Sequence, residues 1–290
     1  MNYRHAYHAG SFADVVKHAV LCRVLVHLRE KPAAFRVIDT HAGAGVYDLA
    51  APEAGKTGEW HDGIGRLLDA NLDAKTFDAK TRALLAPYLD AIAALNPDKT
   101  LATYPGSPAL VQALMRSHDR LVASELEPQA AAALAHTLRR DPRAKALALD
   151  GWIALTSTIP PNERRGLVLV DPPFEQPGDF SRLVQGLEAA HRKWPTGIYL
   201  LWYPIKAAAD VTAFTRRIAR LGIAKTLRAE VIVSSATDDP RLRGSGLIIV
   251  NPPWTLRDEL AVLLPALAGV LARDGAGTVA LDWLTGESAT

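Results

Sequence analysis

A carboxylate, two prolines and an aromatic ring follow an aliphatic run at positions 167–174, Leu-Val-Leu-Val-Asp-Pro-Pro-Phe. Four consecutive aliphatic residues are typical of a strand buried on both faces, and proline cannot extend the hydrogen-bond ladder of a sheet. We therefore predict that this strand ends at Asp171. In an open α/β sheet the carboxyl ends of the strands face the ligand crevice, so Asp171 and Phe174 would project into it.

These groups have the chemistry to hold an aromatic amine for an in-line transfer. An adenine could donate one amine hydrogen to the Asp171 carboxylate and the other to the Pro172 carbonyl, while Phe174 stacks on the base. The nitrogen lone pair would then be directed at a sulfonium methyl group, and transfer would need mainly positioning and charge complementarity. Asp171-Pro-Pro-Phe174 resembles the [DN]-P-P-[FYW] signature of amino methyltransferases that use S-adenosylmethionine.

A second stretch, Asn251-Pro-Pro-Trp254, fits the same pattern, and a plain strand followed by a Pro-Pro turn would explain either stretch equally well. Order along the chain separates the two. Asp171 ends the fourth predicted strand, which lies beside the first strand in a methyltransferase sheet, whereas Asn251 follows a late strand pair far from the crevice. We therefore assign the site to Asp171.

A loop of small residues follows the first predicted strand, 35–39, as Thr40-His41-Ala-Gly43-Ala-Gly45. Small residues let the backbone approach a ligand closely, and the amides at the next helix start favour polar or anionic groups. The spacing misses G-x-G-x-x-G, which argues against a nicotinamide dehydrogenase. It resembles the Asp-x-x-x-Gly-x-Gly loop around the amino-acid end of S-adenosylmethionine, although a plain tight turn would look the same.

Two further predicted strands end in acids that suit a nucleoside. Glu125 ends strand 121–125, where a carboxylate can accept both ribose hydroxyls, and Asp150 ends strand 145–150, where it could read an adenine edge. In a Rossmann-like unit the ribose acid lies about 20 residues past the glycines. Glu125 lies 80 residues past Gly45 (125 minus 45), and segment 52–103 accounts for most of the difference.

Segment 52–103 is turn-rich at first and then shows helical spacing of apolar residues over 66–95, which predicts two helices. We predict a helical insertion subdomain over 52–103 that roofs the site. The remaining strands and helices alternate along the chain. They predict an α/β fold: a Rossmann-like class I S-adenosylmethionine-dependent methyltransferase sheet formed by 1–51 and 104–290.

Composition narrows the class of protein. The chain has 290 residues, a net charge of +2 and one cysteine, Cys22, which excludes an internal disulfide and a Cys-based zinc site. The N-terminal histidines lack metal-ligand spacing, so we expect no metal. No leader and no 18-residue apolar run are present, which predicts a cytoplasmic protein without a membrane partner. The small net charge does not indicate nucleic-acid binding, although arginine clusters could meet phosphates.

Taken together, the motifs resemble the 23S rRNA adenine(2030)-N6-methyltransferase family over nearly the whole chain. They are Tyr3-Arg-His-x-x-His-Ala-Gly10, Asp14-Val-x-Lys17-His18, Asp39-Thr-His-Ala-Gly-Ala-Gly45, Tyr104-Pro-Gly-Ser107-Pro, Asp150-Gly151, Asp171-Pro-Pro, Leu201-Trp-Tyr-Pro204 and Asn251-Pro-Pro-Trp254. Two positions depart from the family pattern: Phe174 stands where tyrosine is common, and Glu127 stands where histidine is usual. Phenylalanine keeps the stacking face, so only a role for the hydroxyl is put in doubt.

The resemblance implies the cofactor and the partner. It implies that Asp171 is the catalytic acceptor of the target amine, that Tyr3 touches the RNA, and that S-adenosylmethionine is bound by His18, His41, Ser107, Glu125, Asp150 and Gly151, with Lys17 and Asp171 close by. The expected substrate is 23S rRNA, protein-free or in an early assembly intermediate, and the expected oligomeric state is a monomer.

Three rival functions fit parts of the pattern. A DNA adenine methyltransferase or a protein-glutamine methyltransferase would share the Asp-Pro-Pro-Phe tetrapeptide, and a non-catalytic RNA-binding protein could retain a degenerate pocket. The intact glycines and acids argue against decay. For the enzyme we expect the target adenine to be flipped into a pocket of Asp171, Pro172 and Phe174.

Overall fold

The computed structural model describes residues 4–73, 75–236, 242–275 and 277–286. Tyr3, which the sequence predicts to touch RNA, lies outside the described residues. The segments at 35–39, 121–125 and 167–170 form strands as the sequence predicts.

Ten strands and ten α-helices follow in order along the described chain, with a 3-10 turn at His5–Tyr7 before them and a π-helical turn at His61–Gly65 between α2 and α3. The strands are β1 Phe35–Asp39, β2 Val46–Asp48, β3 Thr103–Pro105, β4 Arg120–Glu125, β5 Ala144–Ala148, β6 Arg165–Val170, β7 Ile198–Ile205, β8 Thr226–Ile232, β9 Gly244–Val250 and β10 Thr278–Thr285. The helices are α1 Phe12–Glu30, α2 Pro52–Thr57, α3 Arg66–Leu72, α4 Ala79–Leu95, α5 Ser107–Leu114, α6 Pro128–Leu138, α7 Gly151–Ser157, α8 Asp179–Lys193, α9 Ala208–Arg220 and α10 Leu256–Leu271.

Eight strands form one sheet in the order β10-β8-β9-β7-β6-β1-β4-β5. The strands β5, β4, β1, β6 and β7 run parallel, β9 lies antiparallel between β7 and β8, and β10 pairs antiparallel with β8. The chain builds outward from β1 to β5 and then returns to place β6 on the other side of β1. This reversal opens a crevice beside the carboxyl ends of β1 and β6, the position where ligands bind in such sheets.

Helices cover both faces of the sheet, which explains the uninterrupted aliphatic strands. Leu167 and Leu169 of β6 belong to the apolar core that also contains α1, α5 and α10. Val168 and Val170 belong to the core beneath α8 and α9. Because successive side chains of a strand point to opposite faces, a strand buried on both sides must be apolar at every position.

The segment predicted as an insertion leaves and re-enters the sheet domain through a small antiparallel ribbon. β2 pairs with β3, with Val46 opposite Pro105. Leu67 of α3 and Tyr88 of α4 lie in the same apolar core as α1 and α10. The segment contains α2, α3 and α4, and residues of these helices share the core of the main domain.

Candidate active site

A cavity of about 280 Å³ opens beside the carboxyl ends of β1, β4, β5 and β6. Nine of the residues that the sequence singled out contribute to its wall: Lys17, His18, His41, Ser107, Glu125, Asp150, Gly151, Asp171 and Pro172. They come from widely separated positions in the chain. The parallel strands bring them together because each contributing strand ends at the same edge of the sheet.

The Asp171 carboxylate lies in the cavity wall and is bound by a buried lysine that also lines the cavity. Its side chain is 14% exposed, and its Oδ2 accepts a short hydrogen bond from Lys17 Nζ. Lys17 Nζ also lies 2.8 Å from Asp14 Oδ1, one turn earlier on α1. Burial disfavours the Lys17 charge, but the two carboxylates outweigh it and raise the pKa of Lys17 above its ordinary value.

Asp14, which the sequence singles out only as the first residue of the Asp14-Val-x-Lys17-His18 motif, completes this cluster. Its Oδ2 accepts from the Gly10 amide at 3.0 Å and lies 3.0 Å from His5 Nε2. Burial opposes the Asp14 charge, while His5 and Lys17 favour it, and the pKa of Asp14 falls well below its ordinary value. The three-residue spacing from Asp14 to Lys17, which puts both side chains on one helix face, was the available signal.

Ser107 is held at the cavity wall by a fully buried acid. Its Oγ donates to Asp39 Oδ2 at 2.6 Å, so the start of α5 is tied to the end of β1. Burial, opposed by the Ser107 hydrogen bond and aided by the nearby Asp171 charge, raises the pKa of Asp39 to about 7. Asp39 therefore carries a proton for part of the time near neutral pH.

The loop after β1 turns tightly against Glu125. Gly43 and Gly45 have φ of +60° and +83°, in the left-handed region that favours glycine. The Gly43 amide donates to Glu125 Oε2 at 2.9 Å, and Glu125 Oε1 accepts from the Leu126 and Glu127 amides at 2.8 Å. These bonds fix the carboxylate, and its remaining lone pairs can still accept ligand hydroxyls.

The third strand end is fixed by the start of a helix. Asp150 caps α7 by accepting from the Trp152 and Ile153 amides. A Cβ on Gly151 would come within 2.3 Å of the Thr40 carbonyl oxygen and 2.5 Å of His41 Nε2. Only glycine therefore allows α7 to approach the loop after β1 this closely. Burial lowers the pKa of His41 to about 4, so its ring is neutral at pH 7.

Leu126 and Trp152 are large apolar residues of the wall that sequence reasoning missed. Leu126 is 46% exposed although it is a large aliphatic residue, and Trp152 packs edge-on against His41. Leu126 directly follows Glu125, and Trp152 directly follows Asp150-Gly151, two positions that the sequence singled out for their carboxylates. Glu127, a departure from the expected histidine, caps α6 by accepting from the Gln129 and Ala130 amides, and it also lines the cavity.

The chemistry of this donor set fits S-adenosylmethionine. The carboxylates of Glu125 and Asp150 suit ribose hydroxyls and a ring amine, and the apolar side chains beside them suit a base. The turn at Gly43 and the side chains of His18 and Ser107 offer hydrogen-bonding groups to an amino acid.

Phe174 lies in a neighbouring cleft of about 310 Å³ and is absent from the wall of the first cavity. Its backbone has φ of +52°, and its ring packs against Phe180 and Trp202 with centroids 5.0 and 5.7 Å away. Gln176 and Asp179 line both spaces, so the cleft adjoins the cavity. Stacking of Phe174 on a base stays a prediction.

The second Pro-Pro motif lies at the opposite end of the strands, beside the amino end of β7. Asn251 follows the antiparallel β9, and its Nδ2 donates to the carbonyls of Pro195 and Gly197, just before β7, at 2.8 and 2.9 Å. Trp254 is 83% exposed there. The structure thus places Asn251 far from the crevice, as strand order predicts, and gives it a structural role.

The N-terminal segment, more than the predicted insertion, covers the cavity. Arg4 and His5 line its wall, and within segment 52–103 only Glu53 does so among the described residues. Arg4 lies 3.9 Å from Glu53, and His8 Nδ1 lies 2.9 Å from Glu59 Oε1. The predicted roof is therefore confined to α2, while α4 packs against α1 and α10, and α3 packs against α10.

Two other features were sought in the described residues. No group of three or more histidine, cysteine or acidic side chains is arranged to hold a metal ion within the described ranges. None of the helices described has the length and apolar character needed to cross a membrane.

The chain is similar to known proteins over nearly its whole length. Residues 32–285 match the family model described as "Ribosomal RNA large subunit methyltransferase D, RlmJ". The chain is 36% identical over 288 residues to the ribosomal RNA large subunit methyltransferase J of Haemophilus influenzae, covering 99% of this chain and 100% of that one. Its identity to the Escherichia coli protein of the same name is 35% over 287 residues, with the same coverage.

A solved structure shares the fold. The crystal structure of a Legionella pneumophila protein superposes with a TM-score of 0.85 at 30% sequence identity. The match covers 95% of this chain and 98% of that chain. The sheet and its helices are therefore found in an experimentally determined relative.

Proposed function

The chain belongs to the ribosomal RNA large subunit methyltransferase J family, and on that premise we propose that it transfers a methyl group to the exocyclic N6 amine of one adenine, position 2030, in 23S rRNA. The observation that carries the proposal is the Asp171 carboxylate at the end of β6, which lines the cavity while Lys17 binds its Oδ2. The methyl donor is S-adenosylmethionine.

The wall residues divide between donor and acceptor substrates. Glu125, Asp150 and Gly151 would hold the nucleoside of S-adenosylmethionine, and His18, His41 and Ser107 would hold its amino-acid end, with Lys17 close by. When bound, S-adenosylmethionine supplies a methyl carbon activated by a positive sulfur. The acidic residues around the cavity favour that positive charge.

The acceptor amine is positioned by the first half of the tetrapeptide. Because Lys17 occupies Asp171 Oδ2, the other oxygen is left to accept an amine hydrogen. The Pro172 carbonyl accepts the second hydrogen. With both hydrogens engaged, the nitrogen lone pair is oriented out of the hydrogen-bonding plane toward the methyl carbon, and the residues contribute mainly alignment and charge.

The target base would enter through the cleft beside Asp171. Phe174, Phe180 and Pro204 provide aromatic and apolar walls there, and Lys206 provides a cation for the nucleotide backbone. A flipped adenine needs such a slot for its ring because it has left the stack of neighbouring bases. Tyr3, the N-terminal segment and surface arginines would choose the RNA through its shape and phosphates.

The experiment compares Asp171→Ala and Asp171→Asn with the unmodified protein. Methyl transfer to protein-free 23S rRNA should fall by at least about a hundredfold in both variants, the usual scale for a lost acceptor in the transition state. S-adenosylmethionine affinity, measured by calorimetry, should stay within about threefold. An Asp171→Ala protein with near-normal turnover would refute the role of Asp171.

Substrate competition separates the rival enzymes. Protein-free rRNA, duplex DNA and a glutamine peptide are offered together with labelled S-adenosylmethionine. We expect the label in rRNA. Label in DNA would favour a DNA adenine methyltransferase, and label in the peptide would favour a protein-glutamine methyltransferase. A monomer acting in the cytoplasm, where the rRNA substrate is found, is part of the same proposal.

A further inference from the structure

Three buried polar side chains form a hydrogen-bonded chain that runs from the cavity wall into the helical insertion. His18 Nδ1 lies 2.7 Å from Tyr104 Oη, and Tyr104 Oη lies 2.8 Å from Tyr88 Oη. All three side chains are almost completely inaccessible to solvent. They come from α1, β3 and α4, so these two hydrogen bonds link the cavity to the helical insertion.

Counting donors and acceptors shows which group donates the proton in each of these two hydrogen bonds, which we call the proton order. Each phenol has one proton, and Tyr88 Oη has no second hydrogen-bond partner in the part of the chain that the structure describes. If Tyr88 donates to Tyr104 and Tyr104 donates to His18 Nδ1, every proton has an acceptor. The reverse order would leave the Tyr88 proton unpaired in an apolar core, which is unfavourable.

This order determines which His18 nitrogen carries hydrogen. Nδ1 must accept, so the proton of a neutral His18 ring is on Nε2. The nearest carboxylate oxygen to Nε2 is Asp14 Oδ1 at 3.8 Å, beyond hydrogen-bond distance, and Asp14 Oδ1 already binds Lys17. His18 lines the cavity, so its Nε2–H is available to a ligand there.

The charge state of the three groups is consistent with this arrangement. Burial, opposed by Asp14, lowers the pKa of His18 to about 3, so the ring is neutral at pH 7. Burial also raises the pKa of Tyr88 and Tyr104 well above the ordinary value, so both phenols keep their protons.

We propose that Tyr104 is a positioning residue that holds His18 as the Nε2–H tautomer, so that His18 donates a hydrogen bond to the carboxylate of the methyl donor. The inference rests on the proposed function for the identity of that ligand. Tyr88, in the insertion, donates to Tyr104 and leaves the Tyr104 proton for His18. Outer partners of this kind fix the tautomer and orientation of functional histidines.

Nitrogen NMR of the protein labelled at histidine tests the proton order directly. His18→Gln identifies the His18 signals by their disappearance. We expect a protonated Nε2 and an unprotonated Nδ1 in the unmodified protein. A proton found on Nδ1 would overturn the inference whatever the enzyme does.

Affinity measurements test the consequence, with a matched control. Tyr104→Phe removes the donor to Nδ1, so S-adenosylmethionine binding should weaken about three- to tenfold, and the His18 signals should show a mixture of tautomers. Tyr88→Phe leaves Tyr104 able to donate, so affinity should stay within about twofold. Tyr199→Phe removes another buried phenol, which donates to the Trp194 carbonyl at 2.8 Å, and should not change affinity.

The outcomes separate this inference from the proposed function. An equal loss of affinity in Tyr104→Phe and Tyr199→Phe would show that the phenol has only a structural role and would overturn the inference. If the unmodified protein binds no S-adenosylmethionine, the proposed function fails, and the nitrogen spectrum alone decides the proton order.

Discussion

Replacing Gly151 with alanine should damage the cofactor cavity because no space exists for a single methyl group. The Cβ would lie 2.3 Å from the Thr40 carbonyl oxygen and 2.5 Å from His41 Nε2, so it must move by roughly 1 Å to reach ordinary contact distance. Neither neighbour is free to yield. Thr40 is bonded to the Leu169 carbonyl through its amide and its hydroxyl, and His41 Nδ1 lies 2.8 Å from Thr40 Oγ1.

The movement therefore falls on the start of α7, which carries Asp150 and Trp152. Overpacking of this kind costs about 1–3 kcal/mol of unfolding free energy. A displacement near 1 Å of groups that hold a ligand should weaken S-adenosylmethionine binding by at least about tenfold. Urea unfolding measures the first effect and titration calorimetry measures the second.

Gly269 provides a control at which the same substitution should raise the unfolding free energy instead of lowering it. It lies in α10, and nothing is within 4 Å of the position its Cβ would take. Gly269→Ala should raise the unfolding free energy by about 0.5–1 kcal/mol and leave cofactor affinity unchanged, because alanine is the better helix former. The reasoning is refuted if Gly151→Ala retains both the stability and the affinity of the unmodified protein.

Three other predictions test the electrostatics of the site and the choice of motif. Lys17→Met removes the cation shared by the buried Asp14 and the partly buried Asp171 and should cost about 3–5 kcal/mol in urea unfolding; a loss as small as that of the exposed control Lys193→Met would contradict it. The pKa of Asp39 is 3.8 ordinarily and about 7 when folded, so its stabilisation is complete below pH 4 and is lost as pH rises through 7. Relative to Asp39→Asn, the unfolding free energy should fall by about 4 kcal/mol from pH 4 to 8, and a flat or rising difference would exclude the shift. Asn251→Ala removes two hydrogen bonds and should cost about 2–3 kcal/mol without changing cofactor affinity, so a selective loss of affinity would reopen the choice between the two motifs.

The pattern of the sequence predicted the sheet well because its strands are buried on both faces. Runs such as 167–170 and 247–250 are apolar at every position, and their short length and the proline pairs that follow them favour strands over buried helices. The predicted bounds differ from the observed strands by only one or two residues at most ends. The structure also confirms the placement of the fourth strand beside the first.

What the sequence could not predict depends on contacts across the fold. The β2–β3 ribbon consists of three-residue strands with no periodicity to detect, and its pairing joins positions almost sixty residues apart. Asp14 was recognised only as part of a motif, and nothing in the sequence shows that it binds the same lysine as Asp171. The direction of the Phe174 ring follows from its left-handed backbone, which no motif encodes for a phenylalanine.

The central claim is that the protein methylates the N6 amine of an adenine in 23S rRNA, and that Asp171 holds this amine in the cavity. The most direct test incubates the protein with S-adenosylmethionine carrying a tritiated methyl group and with 23S rRNA that lacks the modification, then digests the RNA to nucleosides. The account predicts that the label appears in N6-methyladenosine, at one site per 23S molecule. Label in a different nucleoside, or no transfer by a protein that binds S-adenosylmethionine, would contradict it.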